Sequence, residues 1–225
     1  MEDRTILAIE TTGRACSVAL MRGGQLIASD LLDVKMSMHS KTVMCMADHV
    51  LENAGVKPGD IDIFAAGVGP GSFTGVRIGI CTAKGLAGST GKKVYSGDTL
   101  DVLAQPFKAG KVCAMIDARR GEAYFAVYED GKKITKDSAA PVAEIIGSLG
   151  EKALFVGDAA EVNRELILKL MPGALFAEPC MMQARAEHLC FLAAAAADKG
   201  GLTEPEDMTA NYVRESGAVR KKQGD

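Results

Sequence analysis

The sequence has only three histidines, at positions 39, 49 and 188. On one helix, His39 and His49 would stand about 15 Å apart along the axis and about 80° apart around it. They cannot share an ion held about 2 Å from each ligand. His188, between Glu187 and Leu189 of a helical segment, reads as a surface or packing residue, so no metal site is expected. The six cysteines, at 16, 45, 81, 113, 180 and 190, contain no CxxC pair and no regular spacing. They read as buried free thiols in a reducing compartment. No run of about 18 apolar residues is present, which excludes a membrane-spanning helix by length. The start, Met1-Glu2-Asp3-Arg4, is acidic and leads at once into a strand-like run, unlike a signal peptide. A cytoplasmic protein without membrane contact is the expectation. An excess of basic charge is also missing: 26 Lys and Arg stand against 29 Asp and Glu, a net charge of −3. A free-standing nucleic-acid binder is more often basic, so any RNA contact should be local or shared with a partner.

What remains is an ordinary globular composition, 48% hydrophobic and 24% charged over 225 residues, enough for one large domain or two small ones. Thr5 to Glu10, Ala15 to Met21 and Gln25 to Asp33 read as three strands, the last two joined by a turn at Arg22-Gly23-Gly24. A helix is expected over 40–53. At 100° per residue, Met46, Val50, Val43, Ala47, Leu51 and Met44 fill an arc of roughly 160°. A strand over 61–66, a glycine-rich turn, a helix over 74–87, a strand over 92–95 and a short helix over 100–104 follow. The order then restarts: strands at 112–116, 123–128 and 132–135, helix 141–149, strand 153–156, helix 160–170, strand 174–177 and helix 183–198. This reads as an α/β chain of two tandem β-β-β-α-β-α subdomains, 1–100 and 101–225. The second ends in a polar tail, 199–225, with a basic, mobile end at Arg220-Lys221-Lys222.

Two turns carry candidate chemistry. Glu10-Thr11-Thr12 places a carboxylate and two hydroxyls at a strand end. That set could hold a metal–phosphate complex, or the threonines could simply cap backbone groups. The second turn runs from Gly67 to Gly75. It lacks the Gly-Lys-Ser/Thr of a P-loop and the third glycine of a dinucleotide fingerprint, since Thr74 stands there. Gly69, Gly71 and Ser72 could still approach a phosphate, or could form a tight strand-to-helix turn. Phe73 looks like a plug. Arg119-Arg120, on a hairpin after Asp117, could grip a phosphate or a partner carboxylate, or lie solvated.

The helix over 74–87 has no wet face. Only Arg77, Cys81 and Lys84 form a modest polar stripe, and Gly75, Gly79, Gly85, Ala83 and Ala87 are scattered over the rest. Small residues let another helix approach to about 8 Å. With Met36, Met38, Met44 and Met46 in or near the preceding helix, a partner surface is expected from Met38, Val43, Met44, Met46, Ala47, Val50, Gly75, Arg77, Ile78, Gly79, Thr82, Ala83 and Leu86. The alternative is a central helix covered by the chain's own elements.

Ile6-Leu-Ala-Ile-Glu-Thr-Thr, Ala15-Cys-Ser-Val-Ala-Leu and Gly69-Pro-Gly-Ser-Phe-Thr-Gly-Val-Arg-Ile-Gly79 closely resemble the TsaB (YeaZ) family. Ala83-Lys-Gly-Leu-Ala87, Asp117-Ala-Arg-Arg120 with Tyr124, and Tyr212-Val-Arg214 agree with it. The resemblance implies the actin-like ATPase (ASKHA, ribonuclease H-like) fold. It also implies a non-catalytic subunit that pairs with the TsaD transferase of tRNA threonylcarbamoyladenosine synthesis, docking through the helices at 40–53 and 74–87. A TsaE-like ATPase is the further partner, a homodimer forms when TsaD is absent, and tRNA is met only through the complex. No cofactor is implied. Glu10, Thr11, Thr12, Gly69, Gly71 and Ser72 become a vestigial phosphate site, with nucleotide bound only in complex with partners. The His-x-x-x-His pair of the TsaD-like relatives is absent, and Gly157-Asp158 stands where a glycine-rich adenosine loop would be. The family's tail reads Pro-x-Tyr-Leu-Arg; here Ala210 and Val213 depart from it. An ATP-hydrolysing or phosphotransfer enzyme is the alternative, and a peptidase a remote one.

Overall fold

The computed structural model describes residues 3–33, 38–150 and 152–213. Met36, Arg214 and the basic end at 220–222 lie outside them. Strands β1 (Thr5–Glu10), β2 (Ala15–Arg22) and β3 (Gln25–Asp33) form an antiparallel meander. Helix α1 (His39–Ala54) crosses to β4 (Ile63–Gly69), and α2 (Phe73–Thr90) crosses to β5 (Lys93–Asp98). Both strands join parallel, giving the order β3-β2-β1-β4-β5.

After α3 (Thr99–Ala104) the plan repeats. β6 (Lys111–Arg119), β7 (Glu122–Glu129) and β8 (Lys132–Lys133) are antiparallel, and β9 (Ser138–Pro141) also pairs with β7. Helix α4 (Val142–Ser148) leads to β10 (Leu154–Val156), then α5 (Asp158–Val162) and α6 (Arg164–Leu170) to β11 (Leu175–Phe176). The sheet order β11-β10-β6-β7-β8 is the first sheet's order over again.

Three expectations differ. The strand expected at 132–135 is shortened to β8, and β9 is a further strand outside the expected set. Between them, the Thr135 hydroxyl accepts from the Val127 N–H at 2.8 Å, replacing a ladder bond. The helix at 160–170 is two helices, because Asn163 turns its side-chain amide back onto the Ala159 carbonyl at 2.8 Å. The cysteines are half exposed: Cys16, Cys113 and Cys190 are buried, whereas Cys45, Cys81 and Cys180 are not.

β1 reads as a continuous apolar run because both of its faces are covered. Leu7 and Ile9 pack with α1 and α2 on the outer side. Ile6 and Ala8 face a central core shared with α3, the second sheet's Val112, Ala114 and Ile116, and helix α7 (Ala186–Ala197). α7 thus comes back to the first sheet. The chain beyond it stays there: Thr203 bridges Val94, Met208 is buried beneath α2, and Lys84 Nζ donates to the Glu206 and Met208 carbonyls at 3.0 and 3.1 Å. Residues 203–211, expected as part of a polar tail, are therefore docked.

No helix among the described residues is long and apolar enough to cross a membrane.

Candidate functional site

The glycines at 67, 71, 75 and 79 share one physical cause, and it is the Glu10–Thr12 turn. A Cβ on Gly67 would lie 2.2 Å from Glu10 Oε2. One on Gly71 would lie 2.5 Å from the Thr12 carbonyl oxygen, and one on Gly75 2.0 Å from that of Thr11. One on Gly79 would lie 2.6 Å from Thr11 Oγ1. No side chain fits at these distances, so the glycines admit the end of β1 against the β4–α2 turn and the first two turns of α2. Hydrogen bonds close the contact: Ser72 N–H donates to the Thr12 carbonyl at 2.7 Å and Thr11 Oγ1 to the Gly75 carbonyl at 2.8 Å.

The residues expected as a phosphate site are placed as follows. Glu10, Thr11 and Thr12 are all buried. Glu10 Oε1 accepts from the Thr12 N–H at 2.7 Å and from the Thr12 hydroxyl, and Thr99 donates to that hydroxyl at 3.1 Å. Burial pushes the Glu10 carboxyl up, and the bonds from Thr12 only partly oppose it. Gly69, in the left-handed region at φ 103°, lies under the Asn211 carbonyl. Of the six expected residues, Thr12, Gly71 and Ser72 face open space; Glu10, Thr11 and Gly69 do not.

The open space is a cleft of about 620 Å³ between the two sheets. Thr12, Gly13, Arg14 and residues 71–74 line one side, and Ile116–Arg119, Tyr124 and Asp158 the other. Arg14 is held by a bidentate pair with Asp33, both contacts at 2.7 Å. On the floor, Asp158 accepts from the Asp117 N–H at 2.9 Å, and burial raises its carboxyl above the usual range.

The β6–β7 hairpin forms one rim. Its two-residue loop is Arg120-Gly121, with φ of 58° and 79°, and Arg119, beside a register shift, has φ of 70°. Such loops favour Asn-Gly or Asp-Gly. A left-handed backbone costs a residue with a Cβ about 1–2 kcal/mol. Two consecutive arginines carry that cost here. The Arg119 side chain is 88% exposed and 3.9 Å from Asp117. Phe73 forms the opposite rim. Expected as a plug, it is 48% exposed, with the Arg77 guanidinium 3.9 Å over its ring and Tyr212 stacked at 6.0 Å.

A second polar centre ties the two sheets together. Lys133 Nζ lies 2.9 Å from Asp101 and 2.6 Å from Asp137. Asn211 Nδ2 donates to Asp98 at 3.1 Å and to Asp137 at 3.2 Å. Tyr128 donates to Asp101 at 2.6 Å. Burial, and then contact with Asp137, push the Asp98 carboxyl up to about 8, with Lys133 opposing. Sequence reading missed this cluster, whose members are scattered over more than a hundred positions.

The expected partner surface divides. Val43, Met46, Ala47, Val50, Gly75, Gly79 and Ala83 are buried in the chain's own core, and Ala83 is 0% exposed. The reading of α2 as dry all round is corrected: one face lies on the sheet and the other is open. Met38, Met44 and Arg77 are exposed, and Ile78, Thr82 and Leu86 partly so. Cys81, Gly85 and Gly88 also lie on the open face, and Gly85 and Gly88 have nothing within 4 Å of a Cβ position. Among the described residues, no three His, Cys, Asp or Glu side chains converge as metal ligands would.

Residues 34–221 match the family model described as TsaD, tRNA N6-adenosine threonylcarbamoyltransferase. The tRNA threonylcarbamoyladenosine biosynthesis protein TsaB of Haemophilus influenzae is 38% identical over 130 residues, which cover 56% of this chain and 54% of the relative. That of Bacillus subtilis is 31% identical over 172 residues, covering 72% and 75%. The chain thus spans about half the length of the Haemophilus relative in this match. Among solved structures, YeaZ from Pseudomonas aeruginosa superposes with a TM-score of 0.80 at 30% identity, covering 93% of this chain and 99% of that one. A ROK hexokinase from Thermus thermophilus, at 9% identity and a TM-score of 0.52, shares the fold alone. The repeated sheets are those of the actin-like ATPase fold, and the chain belongs to the TsaB (YeaZ) family.

Proposed function

We propose that this chain is a non-catalytic subunit in tRNA threonylcarbamoyladenosine biosynthesis, docking and supporting a TsaD-like transferase through the open faces of α1 and α2. The observation that carries it is the outward stripe of α2. Ile78, Cys81, Thr82, Gly85 and Gly88 leave a shallow, largely uncharged surface beside the exposed Met44 of α1. A glycine with no neighbour weakens a helix by about 1 kcal/mol relative to alanine. Its presence on an open face suits close approach by a second helix. The relatives' names supply the pathway. The same reading includes a cytoplasmic setting, a TsaE-like ATPase as further partner, self-association of this face when the transferase is absent, and tRNA engaged within the complex.

Co-elution of the chain with a TsaD-like transferase on a sizing column tests the proposal. Gly85→Arg is expected to abolish co-elution and to lower threonylcarbamoyladenosine in tRNA from cells carrying only that variant. Co-elution that survives Gly85→Arg, Cys81→Arg and Met44→Glu together sinks it.

The cleft between the sheets favours a second reading, ATP hydrolysis or phosphotransfer, with Thr12 and Ser72 against the phosphates. Calorimetry of the isolated chain with Mg-ATP decides: tight binding with turnover supports the enzyme.

A further inference from the structure

The cleft mouth brings together two features that the docking face does not use. On one rim, Arg119 and Arg120 are held in the left-handed backbone region at the tip of the β6–β7 hairpin. That conformation closes the two-residue turn, and among the described residues the Arg119 guanidinium has as side-chain partner only a long, exposed pairing with Asp117. The hairpin itself is secured at its base, where Asp117 Oδ1 accepts from the Arg119 N–H at 2.9 Å and Val142 N–H donates to the Gly121 carbonyl at 3.1 Å. The two guanidinium groups therefore project from a rigid platform. On the other rim, Phe73, Arg77 and Tyr212 form an aromatic–guanidinium pile in which both rings remain nearly half exposed. Between the rims lie Ser72 and Thr74 at the N-terminus of the 18-residue α2, whose macrodipole favours anions although Ser72 Oγ already accepts from the Gly75 N–H.

We propose that this mouth is an RNA-contacting surface that takes an unpaired phosphodiester segment, with Arg119 and Arg120 on its phosphates and the Phe73–Tyr212 pile against its bases. Fork-shaped guanidinium groups match phosphate oxygens, and exposed rings interleaved with arginines suit single-stranded rather than duplex RNA. A protein hot spot would need apolar surroundings to exclude water from the arginines. Here the sequence neighbours are Ala118, Gly121 and Glu122, and the adjoining cleft wall is mixed, with Asp117 and Asp158 beside Ile116 and Tyr124. The choice of RNA as the occupant rests on the tRNA-modification reading above.

The test is fluorescence anisotropy of a short RNA stem-loop with an unpaired loop, added to the full chain in complex with its transferase. Arg119→Gly with Arg120→Asn supplies the residues such a hairpin prefers, so this variant is expected to melt at a higher temperature than the parent. It should nonetheless bind the RNA at least about tenfold more weakly. The slope of log affinity against log salt should become shallower by about 0.7 for each phosphate no longer neutralised. Phe73→Ala should weaken binding without changing that slope. Unchanged affinity and slope in the arginine variant overturn the proposal. So does displacement of the RNA by Mg-ATP at stoichiometric amounts, which would make the mouth a mononucleotide site. Co-elution with the transferase is read separately. Its loss in the arginine variant makes the hairpin a protein contact and also overturns the proposal. If the parent chain pairs with no transferase, the docking reading fails instead, and the same anisotropy criteria are applied to the full chain alone.

Discussion

Thr11 and Gly75 hold each other at both ends. The Thr11 hydroxyl donates to the Gly75 carbonyl at 2.8 Å, and the Thr11 carbonyl oxygen fills the place where a Cβ of residue 75 would stand, 2.0 Å away. Both partners are backbone at the critical distance, so neither can yield by a rotamer change. Gly75→Ala is expected to destabilise the fold by about 1–3 kcal/mol, as overpacking does. Gly85→Ala, on the same helix but with nothing nearby, is expected to stabilise it by up to about 1 kcal/mol. Urea midpoints of the two variants should move in opposite directions; a shift in the same direction contradicts the packing assignment.

Two positions on α2 separate folding from docking. Ala83 is fully buried against the first sheet, and Gly85 is open. Ala83→Arg should yield little soluble protein, because it buries an unpaired charge. Gly85→Arg should fold as the parent does and fail only to pair. Circular dichroism together with co-elution reads both, and a folded Ala83→Arg chain would show that the helix is free to lift from the sheet.

Stability should fall from about pH 4 to about pH 8 through Asp98. Its carboxyl, raised to about 8 by burial and by Asp137, holds a proton in the folded state. The unfolded chain loses that proton near pH 3.9, the ordinary value to about a unit. The contribution is therefore complete below the unfolded value and is lost as pH rises through the folded one. Asp137 shifts the other way. Burial raises it, but the bonds from Asp98, Lys133 and Asn211 outweigh that and lower it, so it stays ionised as the acceptor. Asp98→Asn retains a side-chain oxygen for the Leu100 N–H, now at 2.8 Å, and should flatten the decline. Denaturation midpoints across this range check it, and an unaltered slope in the variant assigns the proton elsewhere.

Met208 is 1% exposed although it follows a polar stretch. Met208→Ala should cost about 2–5 kcal/mol, the range for deleting a buried side chain of that size. Differential scanning calorimetry measures it, and a loss under about 0.5 kcal/mol, the scale of surface substitutions, would mean that the segment is not anchored there.

The strands of the first sheet and both of its crossover helices were legible because turn residues punctuate them. Gly23-Gly24 opens the β2–β3 hairpin, and Gly55 and Gly91 end α1 and α2 in the left-handed region. The second half was less legible where side chains replace backbone partners. Thr135 and Asn163 interrupt a strand and a helix by bonds that periodicity does not register. The face of α2 was misread for a different reason. A helical wheel reports small and apolar residues alike, and it cannot say whether a glycine admits this chain's own sheet or someone else's helix. Gly75 and Gly79 do the first, and Gly85 is open. The Gly67–Gly79 string has the look of a phosphate loop because close approach of any backbone oxygen, from a ligand or from Thr11, demands the same residue.

The return of α7 to the first sheet has a consequence for synthesis on the ribosome. Ile6, Ala8, Ala19 and Met21 are covered in part by Leu189, Cys190 and Ala193, which emerge roughly ninety residues after β5 is complete. At about 5–20 residues per second, that interval lasts from several to about twenty seconds. For that time the nascent first sheet has on this face only α3 and the strands of the second sheet to cover it. Its last strand to emerge, β5, waits still longer for Thr203 to bridge its edge. Closure of that face over the first sheet therefore waits on α7, the helix that lies furthest along the chain from the strands it covers among the described residues.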